Sequence, residues 1–149
     1  MNAKNIKELL DVCFIAKKIT ETMADLPDGV KPRHIHVIDA VYELEQHKKS
    51  IRVSDVSKRL HITTPSVTKL INELSELGLV IKTGDSQDKR SITLLLTDKG
   101  RQYEKQYVTD YHTAWAANAA GITGTQAANA VTVIHTLYEA MPKAGDHDE

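Results

Sequence analysis

The chain has 149 residues, of which 41% are hydrophobic and 26% are charged, a composition that is ordinary for one compact globular unit. The sequence has neither a run of about 18 consecutive apolar residues nor a basic-then-apolar leader, so we expect no membrane span or secretory signal and predict a cytoplasmic protein. A net charge of −1 argues against indiscriminate coating of nucleic acid, although residues 48–101 hold 11 Lys/Arg against 6 Asp/Glu and form the candidate polyanion-binding segment.

Apolar residues at three- and four-residue steps predict a long first helix from Ala3 to Met23. The sequence Pro27-Asp28-Gly29 interrupts that pattern. Pro32 then suits the first turn of a second helix that ends near residues 47–49, because proline tolerates a position whose amide has no helical partner.

Two short helices follow, with the lengths of a helix-turn-helix. Ser54 is the expected N-cap of the third helix, which runs to about Leu60. After a turn, Thr63 or Thr64 can cap a fourth helix, with Pro65 in its first turn and Gly78 as its left-handed terminator.

The pattern then changes from helical to extended. Residues 79–82 and 91–96 are β-rich runs separated by a polar loop, which predicts a hairpin. A fifth helix is expected from Thr97-Asp98 to about Ala120, and a sixth from about Thr125 to Met141.

The predicted fold is mainly α with a small β-hairpin wing, a winged helix-turn-helix flanked by long dimerisation helices. Residues 32–97 form the expected DNA-binding domain. The apolar faces of the terminal helices exceed what a small winged domain can cover, so we assign residues 1–29 and 98–142 to a dimer interface. Residues 143–149 are expected to be a flexible tail.

The polar face of the fourth helix, which includes Glu73, is typical of a helix that enters the major groove. Small hydroxyl groups permit close approach to base edges, and a lysine can meet a phosphate or a guanine. A lysine and an arginine at the hairpin tip form a second reaching element, since an arginine can enter a narrow minor groove. Asp88 is expected to orient a nearby arginine or to brace the loop. The predicted DNA-binding residues are Thr64, Pro65, Ser66, Thr68, Lys69, Asn72, Lys89 and Arg90.

Three segments resemble the MarR family in sequence and in order: LSELGLV at 74–80, DSQDKR at 85–90 and LLLTDKG at 94–100. The resemblance implies a homodimer with interleaved terminal helices, whose two winged lobes bind a pseudo-palindrome in double-stranded DNA. It also implies repression relieved by a small ligand or an oxidant. Many family members have a second basic residue earlier in the wing, where this chain has Ser86 and Gln87.

Cys13-Phe14 resembles the branch of the family that senses organic hydroperoxides through an N-terminal cysteine. The tyrosines that this branch places at the start of the second helix are missing here, so we favour a cysteine in a core position. We expect no metal site, because His34 and His36 point in different directions on a helix and the other histidines lack an HxxxH partner.

The tyrosines of the fifth helix lie at four-residue steps. With a histidine of the second helix they can form the wall of a pocket for a small aromatic or phenolic effector, although we favour their packing in a dimer. The candidate effector residues are His36, Tyr103, Tyr107, Tyr111 and Trp115.

No nucleophile–base pair, glycine-rich phosphate loop or spaced carboxylate pair stands out, so we predict no catalytic residues, no cofactor and no enzyme activity. The leading hypothesis is a sequence-specific transcriptional repressor. The alternative is a winged-helix module that binds protein. Salt dependence separates the two, since contacts with phosphates weaken steeply as salt rises.

Overall fold

The computed structural model describes residues 1–23, 25–84, 87–88 and 90–143. Within these ranges the chain folds into helices with one two-stranded antiparallel sheet, which confirms the predicted fold class. The contacts divide the chain into two units, Met1–Tyr111 and a second unit that begins at His112. The elements are α1 Ala3–Glu21, α2 Pro32–Glu45, α3 Val53–Leu60, α4 Thr64–Glu76, β1 Val80–Thr83, β2 Thr93–Leu96, α5 Asp98–Glu104, a π-helical segment Lys105–Asp110, α6 Tyr111–Asn118 and α7 Gly124–Glu139.

The core of the first unit lies where α2, α3, α4 and the hairpin meet. Apart from His34, its largest fully buried side chains are aliphatic, and they come from all of these elements, so burial of apolar surface fixes the position of α4. The N–H of Leu94 donates to the carbonyl of Ile51 over 2.8 Å, which adds a short extended segment beside the hairpin.

The termini of α4 follow the predicted signals. Thr63 is the N-cap and its hydroxyl oxygen accepts the N–H of Ser66, while Pro65 lies in the first turn. Beyond the helix, Gly78 adopts a φ of 71°, a left-handed conformation that suits glycine. These features fix where the exposed face of α4 begins and ends.

The cap of α3 differs from the prediction that Ser54 would fill this position. The helix begins at Val53, Arg52 is the N-cap, and a carboxylate oxygen of Asp55 accepts the Arg52 N–H over 2.9 Å. Asp55 takes over because a carboxylate in the first turn both satisfies an unpaired amide and favours the positive end of the helix dipole.

The expected fifth helix is a continuous helical run that changes geometry midway. After α5 comes the π-helical segment, and α6 continues to Asn118. At the start of this segment the buried carboxylate of Glu104 accepts the hydroxyl of Thr109 over 2.8 Å. The periodicity of the sequence predicted the helix but not this local widening.

Helix α1 buries none of its residues fully, and Cys13 on it is half-buried. The expectation of a core cysteine is therefore wrong for the single chain, because α1 packs only one face against its neighbours in the first unit. Within the described ranges, no helix combines the length and apolar character that crossing a membrane requires.

In the second unit, α7 begins with Thr123 as its N-cap and carries exposed apolar side chains, among them Val131, Ile134 and Tyr138. The helix has no buried residue. The assignment of residues 1–29 and 98–142 to a dimer interface stays a prediction.

Candidate nucleic-acid interface

One face of α4 forms an open groove on the surface of the first unit. Its polar and small side chains follow the helical spacing of four residues, with Thr64, Thr68 and Asn72 in one row. Apart from Thr68, which is half-buried, the residues predicted to bind DNA on this helix are exposed. The groove is lined by Thr64, Pro65, Thr68, Lys69, Asn72, Glu73 and Glu76.

The hydroxyl groups at the start of α4 are oriented by local hydrogen bonds. Thr68 Oγ1 donates to the carbonyl of Thr64 over 3.0 Å, and the hydroxyl groups of Thr63 and Ser66 lie 2.8 Å apart. Thr68 Oγ1 keeps its acceptor capacity, since a hydroxyl oxygen that donates still has two lone pairs. The first turns of α4 therefore present small groups in fixed positions.

The hairpin β1–β2 and its loop form the wing. Val80 pairs with Leu96 and Thr83 with Thr93, and the Thr83 and Thr93 hydroxyl groups lie 2.6 Å apart. In the loop, Asp88 accepts the Arg90 N–H on its side chain over 3.0 Å. Asp88 thus braces the loop beside the exposed Arg90. The predicted contact Lys89 lies outside the described residues.

Lys82 is a cation beside the groove that the sequence analysis missed. Its Nζ donates to Oδ1 of Asn72 over 2.7 Å, which joins β1 of the wing to α4. Side chains alternate between the two faces of a strand, so Lys82 lies on the same face as the buried Val80. This alternation could have predicted that Lys82 faces α4.

Glu73 was grouped with the DNA-facing residues, but its carboxylate points to α2. Oε2 lies 2.6 Å from Nε2 of His34, which is only 2% exposed. The hydrogen bond from His34 holds the pKa of the Glu73 carboxyl below its usual value, against a smaller opposing effect of burial. His34 also has a detectable signal in the sequence, because it lies one turn before the buried Val37 and Ile38.

A second concavity, of about 340 Å³, opens beside the N-terminal half of α2. Arg33 and His36 supply its polar side, and both contact the end of α1. Arg33 pairs with Glu21 at 3.4 Å, and His36 Nε2 donates to the carbonyl oxygen of Thr20. Its lining consists of Thr20, Glu21, Arg33, His36, Leu60, Ile62 and Leu70.

Of the predicted effector residues, His36 alone is among those lining residues. Tyr103 and Tyr107 pack edge-to-face with ring centroids 5.3 Å apart, and both lie against the core of the first unit. Tyr111 is half-buried at the end of that unit, and Trp115 lines a separate concavity in the second unit. No group of three or more potential metal ligands occurs in the described part of the chain.

Comparison with known proteins shows which family the winged region resembles. The model of the MarR family matches residues 28–91, which contain α2, α3, α4 and most of the wing. Residues 28–91 are therefore similar to the MarR family, and we call them the MarR-family region. The resemblance drawn from the three sequence segments is confirmed.

One curated relative is similar to about half of the chain. The chain is 32% identical over 72 residues to the HTH-type transcriptional repressor MdtR of Bacillus subtilis, an alignment that covers 48% of this chain and 44% of MdtR. The chain thus spans less than half of the length of this relative.

Two solved structures share the fold over most of the chain. FabT of Streptococcus pneumoniae, in complex with DNA, has a TM-score of 0.65 and 23% identity, with 93% of this chain and 96% of FabT covered. BpsR of Bordetella bronchiseptica, whose DNA binding is regulated by 6-hydroxynicotinic acid, has a TM-score of 0.66 and 18% identity, with 90% and 98% covered. At identities this low the likeness shows the fold alone, and it extends to the chain outside the MarR-family region.

Proposed function

We propose that this protein is a sequence-specific DNA-binding transcriptional regulator, a repressor that binds a pseudo-palindromic operator as a homodimer and is released by a small-molecule effector. The observation that carries the proposal is the exposed face of α4, where small hydroxyl groups lie beside Lys69 and beside the Lys82–Asn72 bond to the wing. Such a face suits base edges, while the cations suit phosphates. The protein would act in the cytoplasm and catalyse no reaction.

In this proposal α4 is the recognition helix, and its two kinds of DNA-facing group do different work. Ser66 and Thr68 are neutral groups on a rigid helix and read bases. Arg90, and Lys89 beside it in sequence, are cations of the wing and bind phosphates or the minor groove. The relatives support DNA binding and regulation, because MdtR is named a transcriptional repressor and FabT was solved with DNA.

The test begins with selection of bound sequences from a random duplex pool. The preferred duplex and a scrambled copy are then titrated at several salt concentrations. Arg90→Ala should weaken binding to both duplexes and lower the salt slope by about one. Thr68→Ala should weaken binding to the preferred duplex alone, by about 1–3 kcal/mol for a good base contact.

Lys17→Ala is the matched control, since it removes an exposed cation from α1 outside the MarR-family region. It should change neither affinity nor salt slope. Failure to select any sequence, together with binding that salt does not weaken, would contradict the proposal and favour the protein-binding module.

For the effector we propose the concavity beside α2. Its apolar wall of Leu60, Ile62 and Leu70 suits an aromatic ring, and Arg33 and His36 suit a carboxylate or phenol oxygen. Its volume lies within the range of small-molecule sites. The regulation of BpsR by 6-hydroxynicotinic acid supports this chemical class.

Calorimetric titration with 6-hydroxynicotinate and with 4-hydroxybenzoate tests this site. His36→Leu should abolish binding of whichever probe the native protein takes up, whereas His47→Leu, at an exposed position beyond α2, should leave it intact. The same assay tests the four aromatic candidates of the sequence analysis, Tyr103, Tyr107, Tyr111 and Trp115. Loss of probe binding in Tyr107→Leu but not in His36→Leu would move the site to them.

A further inference from the structure

The ring of His34, at the first turn of α2, has both nitrogen atoms engaged although it is almost completely buried. Nδ1 accepts the backbone N–H of Lys31, the N-cap residue of α2, over 3.0 Å. Because Nδ1 is an acceptor, the proton of the neutral ring lies on Nε2 and is donated to Oε2 of Glu73 over 2.6 Å. The fold thus selects one tautomer and one orientation of the ring.

The partner carboxylate belongs to the recognition helix. Glu73 lines the same groove as Thr68 and Lys69, and its side chain is 31% exposed. Its hydrogen bond with His34 joins two residues that are 39 positions apart in the sequence. A rigid polar contact of this kind restrains rotation and sliding of α4 against α2 more than apolar packing does, because a hydrogen bond is directional.

The charge of Glu73 is otherwise unfavourable at this place. A carboxylate in a groove that receives DNA repels phosphates, and removing it should strengthen binding on electrostatic grounds alone. A positioning role predicts the opposite sign, since the helix would lose its restraint. The direction of the change therefore distinguishes the two.

We propose that His34 and Glu73 are positioning residues for DNA recognition. The buried ring holds the recognition helix against the first turn of α2 and fixes how α4 presents the groups that contact bases. This inference rests on the proposed DNA-binding function. Neither residue needs to touch DNA.

The test compares variants on the selected duplex and on its scrambled copy, using the full-length protein. Glu73→Ala should weaken binding to the selected duplex about tenfold, the size of one charge-assisted hydrogen bond, and leave the scrambled duplex bound as well or more tightly. Glu73→Gln should restore the preference, because its amide oxygen accepts the same Nε2–H while its charge is gone.

Two further variants separate the clamp from charge and from helix capping. Glu76→Ala removes the same charge from the end of the same helix and should tighten both duplexes alike. His34→Gln keeps a donor toward Glu73 but has no acceptor at the position of Nδ1 for the Lys31 N–H. It should therefore lower the melting temperature and keep most of the preference for the selected duplex.

A spectroscopic reading makes the outcome independent of DNA. Nitrogen-15 spectra of the imidazole should report the Nε2–H tautomer in the native protein and in Glu73→Gln. In Glu73→Ala, Nδ1 still accepts the Lys31 N–H, but the Nε2–H has lost its acceptor and its proton should exchange faster with water. Tighter binding of the selected duplex by Glu73→Ala, or equal preference in all variants, would overturn the clamp. If no duplex is selected but the spectra show the expected tautomer, the proposed DNA-binding function is contradicted, while the contact between His34 and Glu73 is still supported.

Discussion

Nζ of Lys82 on β1 lies 2.7 Å from Oδ1 of Asn72 on α4, so the wing and α4 are joined by a hydrogen bond at the edge of the groove. The ammonium group has two further donors, and both side chains are exposed. Lys82 can therefore hold Asn72 and meet a phosphate at the same time.

The first prediction concerns this lysine. Lys82→Met keeps the length of the side chain but removes its charge and its bond to Asn72. Binding should weaken on every sequence, and the salt slope should fall by about one, because one phosphate contact is lost. Lys82→Arg should keep most of the affinity. A salt slope identical to that of the native protein would show that Lys82 touches no phosphate.

The second prediction concerns the contact between α5 and the start of the wing. A Cβ at Gly100 would lie 2.2 Å from the carbonyl oxygen of Leu79, which is backbone and cannot turn away. Gly100→Ala should therefore lower the free energy of unfolding by about 1–3 kcal/mol through overpacking. Thermal unfolding measures the loss.

Gly121→Ala is the control for that change, because an added Cβ there has no atom within 4 Å. It should be neutral or should stabilise by about 0.4–1 kcal/mol, through the smaller entropy of the unfolded chain. Equal melting temperatures for the two alanine variants would contradict the proposed close approach.

The helix ends could be predicted from the sequence where their signals are local. Thr63, Pro65 and Gly78 each act within one turn of chain, and the structure has them in the expected roles. The cap at Arg52 was missed because Ser54 and Asp55 compete over the same few amides, and the Asp55 carboxylate has the added advantage of favouring the positive end of the helix dipole.

Contacts distant in sequence were beyond such signals. The pairing of His34 with Glu73 depends on how α2 crosses α4, and periodicity gives a face but not a partner. For the same reason, periodicity could not show that His36 lines the concavity beside α2 without Tyr103 and Tyr107. His36 lies on a different helix from Tyr103 and Tyr107, and those two rings pack against each other.

The third prediction tests association through α7. Ile134 is 46% exposed on a helix that buries none of its residues in the single chain, and Val131 and Tyr138 lie on the same face. Such a face is typical of an interface, so Ile134→Asp should convert a dimer into monomer or aggregate, as measured by light scattering. Asn129→Asp adds the same charge on the opposite face and should leave the dimer intact. A native protein that is monomeric at every concentration would contradict the expectation.

The last prediction follows from the lowered pKa of Glu73. The hydrogen bond from His34 is the main cause, and the nearby Lys31 and Lys69 add to it. A carboxyl whose pKa is lower in the folded state stabilises the fold fully above its unfolded pKa, for which the reference value is 4.5. This contribution is lost as the pH falls through the folded pKa, because the unfolded chain then binds a proton first.

Urea unfolding of the native protein and of Glu73→Gln at several pH values, from about 3 to about 7, measures this contribution. The glutamine has no proton to bind, so the stability difference between the two proteins should be constant near neutral pH and should shift against the native protein in acid. Glu76→Gln gives the background for removing one carboxylate from α4. A difference that does not change with pH, or one that shifts in favour of the native protein in acid, would mean that His34 does not stabilise the charged form of Glu73.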